Sequence, residues 1–217
     1  MTHRRAIGAA ALLAASLALS GCITLFPKAT PVQLYRFGET PSAGEAKPPA
    51  GQGAPFNLQR AATVFDRAAQ SDAILTTSGT ETAYLAGSRW VAPATVMFDE
   101  AVDRAFNAAG GPAHVVPRGE MGSSGVSLKL DVEAFEARYA GGKDAAPTVI
   151  VRVHALLVRL SDRRPIAENT FEVDKPAEAN RVGAIVHAFN DATDNAIGQI
   201  VAWTGVQGEQ AAAAPAP

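Results

Sequence analysis

The stretch that determines the fold class is Val-Ser-Leu-Lys-Leu-Asp-Val-Glu-Ala-Phe, residues 126–135. Apolar and polar residues alternate from Val126 to Val132, which is typical of a β-strand with one face in water. Phe135 lies one position out of step with this alternation, so we expect a β-bulge or a strong twist just before it. The sequence therefore predicts a half-buried strand that is irregular near its end.

A second apolar stretch occupies residues 149–158 and carries apolar side chains at both odd and even positions. This pattern favours a central strand that is covered on both faces for much of its length. Turn-forming residues at 161–165 then predict a hairpin, and the chain returns over residues 166–173 as another strand.

Two segments have the three- and four-residue spacing of amphipathic helices. The first begins after Pro93, has its apolar stripe over residues 96–106 and is stopped at Gly110. The second has its stripe over residues 182–203, with Gly205 placed to end it. We expect one helix before the long strands and one after them.

Shorter strand-like segments complete the predicted sheet, at residues 32–37, 56–65, 73–77, 82–85 and 114–116. The predicted fold is a single α/β domain over residues 32–204. Its mixed, mainly antiparallel sheet is flanked by the two long helices.

Two segments have compositions that cannot bury enough apolar surface to offset the entropy of ordering them. Residues 38–55 are rich in Gly, Pro and Ala, and residues 205–217 are mainly Ala, Gln and Pro. We expect the first to be a flexible insertion and the second a disordered tail.

The composition excludes several classes of protein. The 217 residues are 47% hydrophobic and 18% charged, which indicates a globular chain with flexible pieces. The net charge of −2 leaves no excess of cations for a nucleic-acid backbone. A single cysteine excludes an intrachain disulfide framework and a cysteine-rich zinc site.

The N-terminus has the three parts of a secretory signal peptide. Arg4 and Arg5 are basic, residues 6–20 are uncharged and dominated by Ala and Leu, and Gly21 precedes Cys22. The alternative is a transmembrane helix, but at about 1.5 Å per residue the apolar run reaches only ~23 Å of a hydrocarbon core roughly 30 Å thick. We expect residues 1–21 to be cut off after export.

The residues Leu19-Ser20-Gly21-Cys22 resemble the lipobox of bacterial lipoproteins. The resemblance implies cleavage between Gly21 and Cys22, and attachment of acyl chains such as palmitate to Cys22. Residues 22–31 would then be a lipidated tether, and Ile23 would favour sorting to the outer membrane. The alternative is a chance or buried cysteine.

Acylation would anchor the mature chain more firmly than its charge could. Two or more acyl chains hold a protein on a membrane stably, whereas one does so only marginally. Without Arg4 and Arg5 the mature charge is 17 − 21 = −4, which gives the whole chain no attraction to an anionic bilayer. We expect membrane contact to run through the lipid.

We searched the sequence for catalytic, nucleotide and metal sites. Residues 122–125 (Gly-Ser-Ser-Gly) lack the spacing of a nucleophile elbow, and residues 141–143 (Gly-Gly-Lys) lack the pattern of a phosphate-binding loop. The histidines His114, His154 and His187 fall in separate elements without metal-ligand spacing. We therefore expect no catalytic residue, metal or cofactor.

Residues 84–90 read Tyr-Leu-Ala-Gly-Ser-Arg-Trp and have two interpretations. Aromatic residues and arginine are common anchors of protein interfaces, so Tyr84, Leu85, Arg89 and Trp90 are candidate partner-binding residues. The same residues could instead seat the following helix on the sheet.

The order of several features along the chain is distinctive. They are the lipobox, Tyr35 in the first strand, Tyr84-Leu85 before Arg89-Trp90, Pro93 opening a helix, residues 130–135, residues 188–192 (Ala-Phe-Asn-Asp-Ala) and the late Trp203. Together they resemble the ABC-type transport auxiliary lipoprotein family, the PqiC-like proteins. The resemblance covers residues 31–204, and only the insertion at 38–55 and the tail depart from it.

This resemblance implies a non-catalytic lipoprotein on the periplasmic face of the outer membrane. Its implied partners are an inner-membrane ABC transporter, with permease and ATPase, and a mammalian-cell-entry (MCE) protein that carries lipid between the membranes. Assembly into a homo-oligomeric ring follows by the same analogy. The alternatives are a periplasmic lipoprotein enzyme acting on cell wall or lipid, and a generic envelope scaffold.

Overall fold

The computed structural model describes residues 31–38, 54–116 and 125–213. The predicted signal peptide, the tether up to residue 30, most of the insertion at 38–55 and residues 214–217 lie outside the described residues.

The described residues form nine strands and two helices. In chain order they are β1 (Gln33–Tyr35), β2 (Phe56–Arg60), β3 (Val64–Phe65), β4 (Ala73–Ser78), β5 (Glu81–Trp90), α1 (Ala94–Ala109), β6 (Ala113–Val116), β7 (Val126–Arg138), β8 (Thr148–Arg159), β9 (Pro165–Pro176) and α2 (Val182–Ala213). Each of the shorter strands overlaps a segment that the sequence predicts.

The sheet is built around β7, which has different neighbours along its two edges. On one edge β7 pairs antiparallel with β8, which in turn pairs antiparallel with β9. On the other edge the short strands β2, β3 and β4 pair with β7 one after another, all parallel to it. Beyond them lie β6, parallel to β2, and β5, antiparallel to β4, with β1 parallel to β5. The predicted mixed sheet is confirmed.

The irregularity predicted in the first strand of the long hairpin is a β-bulge. The register of β7 against β8 shifts between Val132 and Ala134, which leaves Glu133 without a partner across the ladder. Because the extra residue restores the alternation, Phe135 returns to the buried face and is only 2% exposed.

Both helices cover the same face of the sheet. Phe189 of α2 contacts Phe135 of β7 at a ring-centroid distance of 4.9 Å, and Phe98 of α1 contacts Phe65 of β3 at 5.6 Å. Phe65 and Phe135 also contact each other at 5.6 Å, so one aromatic cluster joins both helices to the sheet. The opposite face carries neither helix.

The prediction that residues 149–158 are covered on both faces was therefore wrong for most of β8. Alternate residues from Val149 to Leu157 are fully buried beneath the helices. On the other face Ile150 is buried, but Leu156 and Val158 are only partly covered. Neighbouring side chains on β7 and β9 give these apolar residues partial shelter, as on the solvated face of an antiparallel sheet.

The helices begin where the sequence predicts, but one ends later. α1 follows Pro93 and stops at Gly110, whose φ of 58° is the left-handed conformation of a helix terminator. α2 continues through Gly205 to Ala213, so the helix end predicted at Gly205 was wrong, and residues 205–213 are helical where a disordered tail was expected. Its extra turns are held by close packing, because Gly208 lies directly against the ring of Phe56.

Candidate functional site

The predicted lipid-attachment and cleavage residues, Cys22 and Gly21, lie outside the described residues. The structure does describe the first element that follows the predicted tether in the sequence. This is β1, whose first residue is Gln33 and which pairs with the end of β5.

Trp90 belongs to the core of the molecule. Its side chain is 2% exposed, and its ring lies 5.0 Å from that of Phe37 and 5.3 Å from that of Phe189, measured between centroids. Edge-to-face contacts of this kind add about 0.5–1.5 kcal/mol to the burial of the rings. Trp90 thus joins the segment after β1, the end of β5 and α2, so it has a packing role, although its ring contacts are with the last helix and not with the helix that follows it.

Tyr84, Leu85 and Arg89 lie nearer the surface. Tyr84 is 53% exposed, and its hydroxyl donates to the carbonyl oxygen of Ala68 at 3.1 Å. The guanidinium of Arg89 pairs with Asp72 at 2.9 Å while both side chains stay about half exposed.

An irregularity in β5 separates these residues into two places. The register against β4 pairs Leu75 with Tyr84 but Ala73 with Arg89, so β5 has extra residues between the two pairs. Gly87 lies in this irregular segment with a φ of 67°, a backbone conformation that favours glycine. Tyr84 is on the β4–β5 hairpin, whereas Arg89 is on the part of β5 that faces β1.

Hydrogen bonds to both helices hold the segment after β1 in place at Gly38. The Oδ1 atom of Asn190 in α2 accepts the Gly38 N–H at 2.8 Å, and Arg104 of α1 donates to the Gly38 carbonyl at the same distance. Gly38 has a φ of 70°, and a Cβ there would lie 2.7 Å from that of Ala101. Asn190 is the central residue of the predicted family segment 188–192, so the structure gives this motif residue a clear role.

A buried arginine that the sequence analysis did not single out joins β2 to α1. The Arg60 side chain is 2% exposed and reaches the carboxylates of Asp99 and Asp103, each at 2.6 Å. Thr63 also donates to Asp99 at 2.6 Å. The Arg60 Nε atom is buried and has no hydrogen-bond partner among the described residues. Arginine side chains are usually exposed, so the sequence did not indicate that Arg60 is buried. Its burial depends on the pairing with α1.

The open face of the sheet carries a cross-strand ion pair. Arg152 of β8 donates two hydrogen bonds to Glu172 of β9, at 2.7 and 2.9 Å. The hydrogen bond from Arg152 lowers the pKa of the Glu172 carboxyl, and the same bond raises the pKa of Arg152. This is the geometry of a solvated sheet surface.

The three candidate histidines lie apart from one another. His114 is exposed on β6, His154 is partly covered on the open face of β8, and His187 is 70% exposed on α2 beside Asp191. Within the described ranges no group of three or more His, Cys, Asp or Glu side chains could hold a metal ion. In the same ranges no helix is long and apolar enough to cross a membrane.

Solved structures share this fold. Protein XCC0632 from Xanthomonas campestris is 26% identical, with a TM-score of 0.69 over 85% of this chain and 98% of that chain. The hypothetical protein CT253 from Chlamydia trachomatis is 10% identical, with a TM-score of 0.50 over 73% of this chain and 99% of that chain, and it supports the fold alone. No curated protein matches the chain.

The family assignment rests on a longer match than any single motif. The model of a family described as "ABC-type transport auxiliary lipoprotein component" matches residues 35–201. The match includes β1 from its last residue, every later strand and most of α2, together with the Gly38–Asn190 contact and the aromatic cluster. The chain belongs to the ABC-type transport auxiliary lipoprotein component family.

Proposed function

We propose that this chain is the lipid-anchored auxiliary component of an MCE-type lipid transport system, and that it docks the periplasmic shuttle to the outer membrane. The observation that carries the proposal is the family match over residues 35–201. The lipobox-like residues ending at Cys22 support the anchor, and Ile23 supports the outer membrane.

In this proposal the contribution of the chain is placement. Acyl chains on Cys22 hold the domain at one membrane, while a protein surface binds the transport assembly. Replacement of Cys22 by alanine should leave the exported protein soluble, because without acyl chains the mature charge of −4 gives the chain no electrostatic attachment to an anionic bilayer. A Cys22→Ala chain that still pellets with membranes after a high-salt wash would contradict the anchor.

The surface that we propose for the partner is the outer edge of the β4–β5 hairpin. β1 covers β5 only from Ser88 to Trp90, so in the described part of the chain no strand pairs with the outer edge of β5 near Tyr84. An uncovered strand edge can accept a strand from another protein, and an exposed tyrosine next to it can act as an anchor. Leu85, which is partly buried, follows Tyr84 on the same edge.

Co-purification of the full-length chain from native membranes in mild detergent tests this surface. We expect a permease, an ATPase and an MCE-domain protein to be recovered with the wild-type chain, and about tenfold less of them with Tyr84→Ala, which corresponds to ~1.4 kcal/mol. Val206→Ala is the matched control, since Val206 is 49% exposed on α2. Equal recovery with the two variants would contradict the docking surface. Absence of all three proteins from the wild-type preparation would favour a generic envelope scaffold.

We infer that the chain itself is not an enzyme. The separation of His114, His154 and His187 on three elements supports this inference, because a general base must lie within hydrogen-bond reach of the group that it activates. Turnover of a lipid ester or a glycan that is abolished by one polar substitution would contradict it.

We also propose that several copies assemble into a ring. The sheet ends in different strands on its two sides, β9 on one and β1 and β6 on the other. Contacts between unlike surfaces are head-to-tail, and such contacts form a ring when the rotation closes. Light scattering of the lipidated chain in detergent should give a mass several times that of the protomer. A monomer at all concentrations would contradict the ring.

A further inference from the structure

The outward face of β1 carries apolar residues where a solvated strand would carry polar ones. Phe37 is buried in the aromatic cluster and Tyr35 packs against the core, so Val32, Leu34 and Arg36 point to the other side. Val32 is 46% exposed and Leu34 is 54% exposed.

The neighbouring part of β5 extends this face. Leu34 lies opposite Arg89 in the parallel ladder, and the Val91 N–H donates to the Tyr35 carbonyl at 2.9 Å. Val91, which is 39% exposed, therefore lies beside Arg36. We refer to Val32, Leu34, Arg36, Arg89 and Val91 as the β1 outer face.

Three exposed aliphatic side chains on one face are unlike isolated exposed hydrophobic residues. The other large hydrophobic residues exposed in the described ranges, Val64, Tyr84, Val96 and Val206, lie on separate elements. Single exposed hydrophobic residues are common, but grouped ones mark surfaces that contact a membrane or another protein.

The position of this face in the chain favours a membrane as its occupant. Val32 is 32 − 22 = 10 residues after Cys22, and ten residues span at most ~35 Å when fully extended. If Cys22 is acylated, as proposed above, the β1 outer face is the first folded surface beyond the anchor. A linker of this length keeps the β1 outer face close to the lipid surface.

The chemistry of the face also suits a lipid surface. Arginine side chains lay their apolar stems along a hydrophobic surface and keep the guanidinium in water or on a phosphate, and aliphatic residues enter the boundary between headgroups and acyl chains. Arg36 and Arg89 flank the aliphatic group, and Asp72 holds Arg89 in place.

We propose that the β1 outer face rests on the phospholipid surface of the membrane that holds the acyl chains, and so fixes the orientation of the domain. This inference depends on the proposed lipid anchor. The acyl chains supply the attachment, and the β1 outer face determines which side of the domain faces the lipid. The β4–β5 hairpin with Tyr84 is then left free for a protein partner.

Depth-dependent fluorescence quenching tests the proposal. The lipidated chain with Leu34→Cys, labelled with the dye NBD, is reconstituted into vesicles of phosphatidylethanolamine and phosphatidylglycerol. The introduced thiol is the only one that the dye can reach, since acylation blocks Cys22. Gln199→Cys, at an exposed position of α2, which covers the other face of the sheet, is the matched control.

We expect the NBD label at position 34 to shift to shorter emission wavelengths, and nitroxide lipids to quench it at least threefold more than the label at position 199. Equal, weak quenching at the two positions would overturn the proposal. A blue-shifted label at position 34 that nitroxide lipids do not quench would also overturn it, because a protein surface would then cover the face.

Flotation of the same vesicles separates this inference from the anchor. A chain that floats with the vesicles but shows no quenching at position 34 leaves the anchor intact and refutes the orientation alone. A chain that does not float contradicts both. In addition, Leu34→Glu should keep flotation but lower the quenching of a label at Val91→Cys severalfold, and unchanged quenching would contradict the proposal.

Discussion

At the scale of single residues, two polar contacts explain how distant parts of the chain are held together. Asn190 binds the Gly38 N–H, and Arg60 binds Asp99 and Asp103. In both cases a side chain on one element satisfies a group on an element far away in sequence. Loss of a partner for a group of this kind costs more than the bond itself contributes.

Asn190→Ala should lower the free energy of unfolding by about 1–3 kcal/mol, because the Gly38 N–H loses its acceptor. Urea denaturation measures this change. Gln199→Ala, at an exposed position of the same helix, is the control and should change stability by less than about 0.5 kcal/mol. Equal stabilities of the two variants would show that the Gly38–Asn190 contact does not hold the strand.

Arg60, Asp99 and Asp103 form one charged group, in which loss of an aspartate should cost more stability than loss of the arginine. Asp99→Ala should cost about 2–3 kcal/mol, because it removes one of the two carboxylates that pair with an arginine that stays buried. Arg60→Met should cost less than about 2 kcal/mol, since the side chains of Asp99 and Asp103 are 22% and 47% exposed and keep access to water. Chemical denaturation of the two variants gives the order, and the reverse order would contradict this account.

At the scale of elements, α2 has two glycines whose surroundings predict opposite effects. A Cβ at Gly208 would overlap the ring of Phe56, whereas no described heavy atom lies within 4 Å of the corresponding position at Gly198. Gly208→Ala should therefore destabilise the protein by about 1–3 kcal/mol, although alanine favours a helix. Gly198→Ala should stabilise it by about 0.5–1 kcal/mol.

Thermal denaturation of both glycine variants provides the comparison. A stabilising Gly208→Ala would mean that the last turns of α2 do not pack on β2, and the helix end predicted at Gly205 would then describe the packed part of the molecule better.

Elements with local signals were predictable from sequence. The bulge near Glu133 disturbs an alternation within one strand, and α1 has an apolar stripe between Pro93 and Gly110. By contrast, β2, β3 and β4 together form an interrupted strand along β7, and Leu58 pairs with Val126 far away in the chain. No local pattern encodes a pairing of that kind. The end of α2 was missed because glycine usually stops a helix, and its tight contact with Phe56 depends on the tertiary fold.

The sequence predicted which residues belong to the candidate site, but only partly where they lie in the fold. Residues 84–90 carried a signal for interface anchors, and the structure shows which of these residues are exposed. Trp90 packs in the core, while Tyr84 stays exposed beyond the irregular segment at Gly87. The β1 outer face was not predicted, because an alternating segment such as residues 32–37 gives no indication that its outward residues remain uncovered.

At the scale of the whole molecule, we propose a domain with one membrane attachment and separate surfaces for lipid and for protein. The helices cover one face of the sheet, and among the described residues no strand pairs with the outer edge of the β4–β5 hairpin near Tyr84. The family assignment supplies the context of ABC-type transport, and the proposed acylation of Cys22 would supply the location. The proposed docking role, the proposed orientation and the proposed ring all require that the chain is held at a membrane.

The most direct measurement is the mass of the N-terminal peptide of the chain purified from its native membrane. We expect a peptide that begins at Cys22 and carries a diacylglyceryl group on the thiol and an acyl group on the amine. An exported chain with a free Cys22 thiol, or one that keeps residues 1–21, would contradict the central claim.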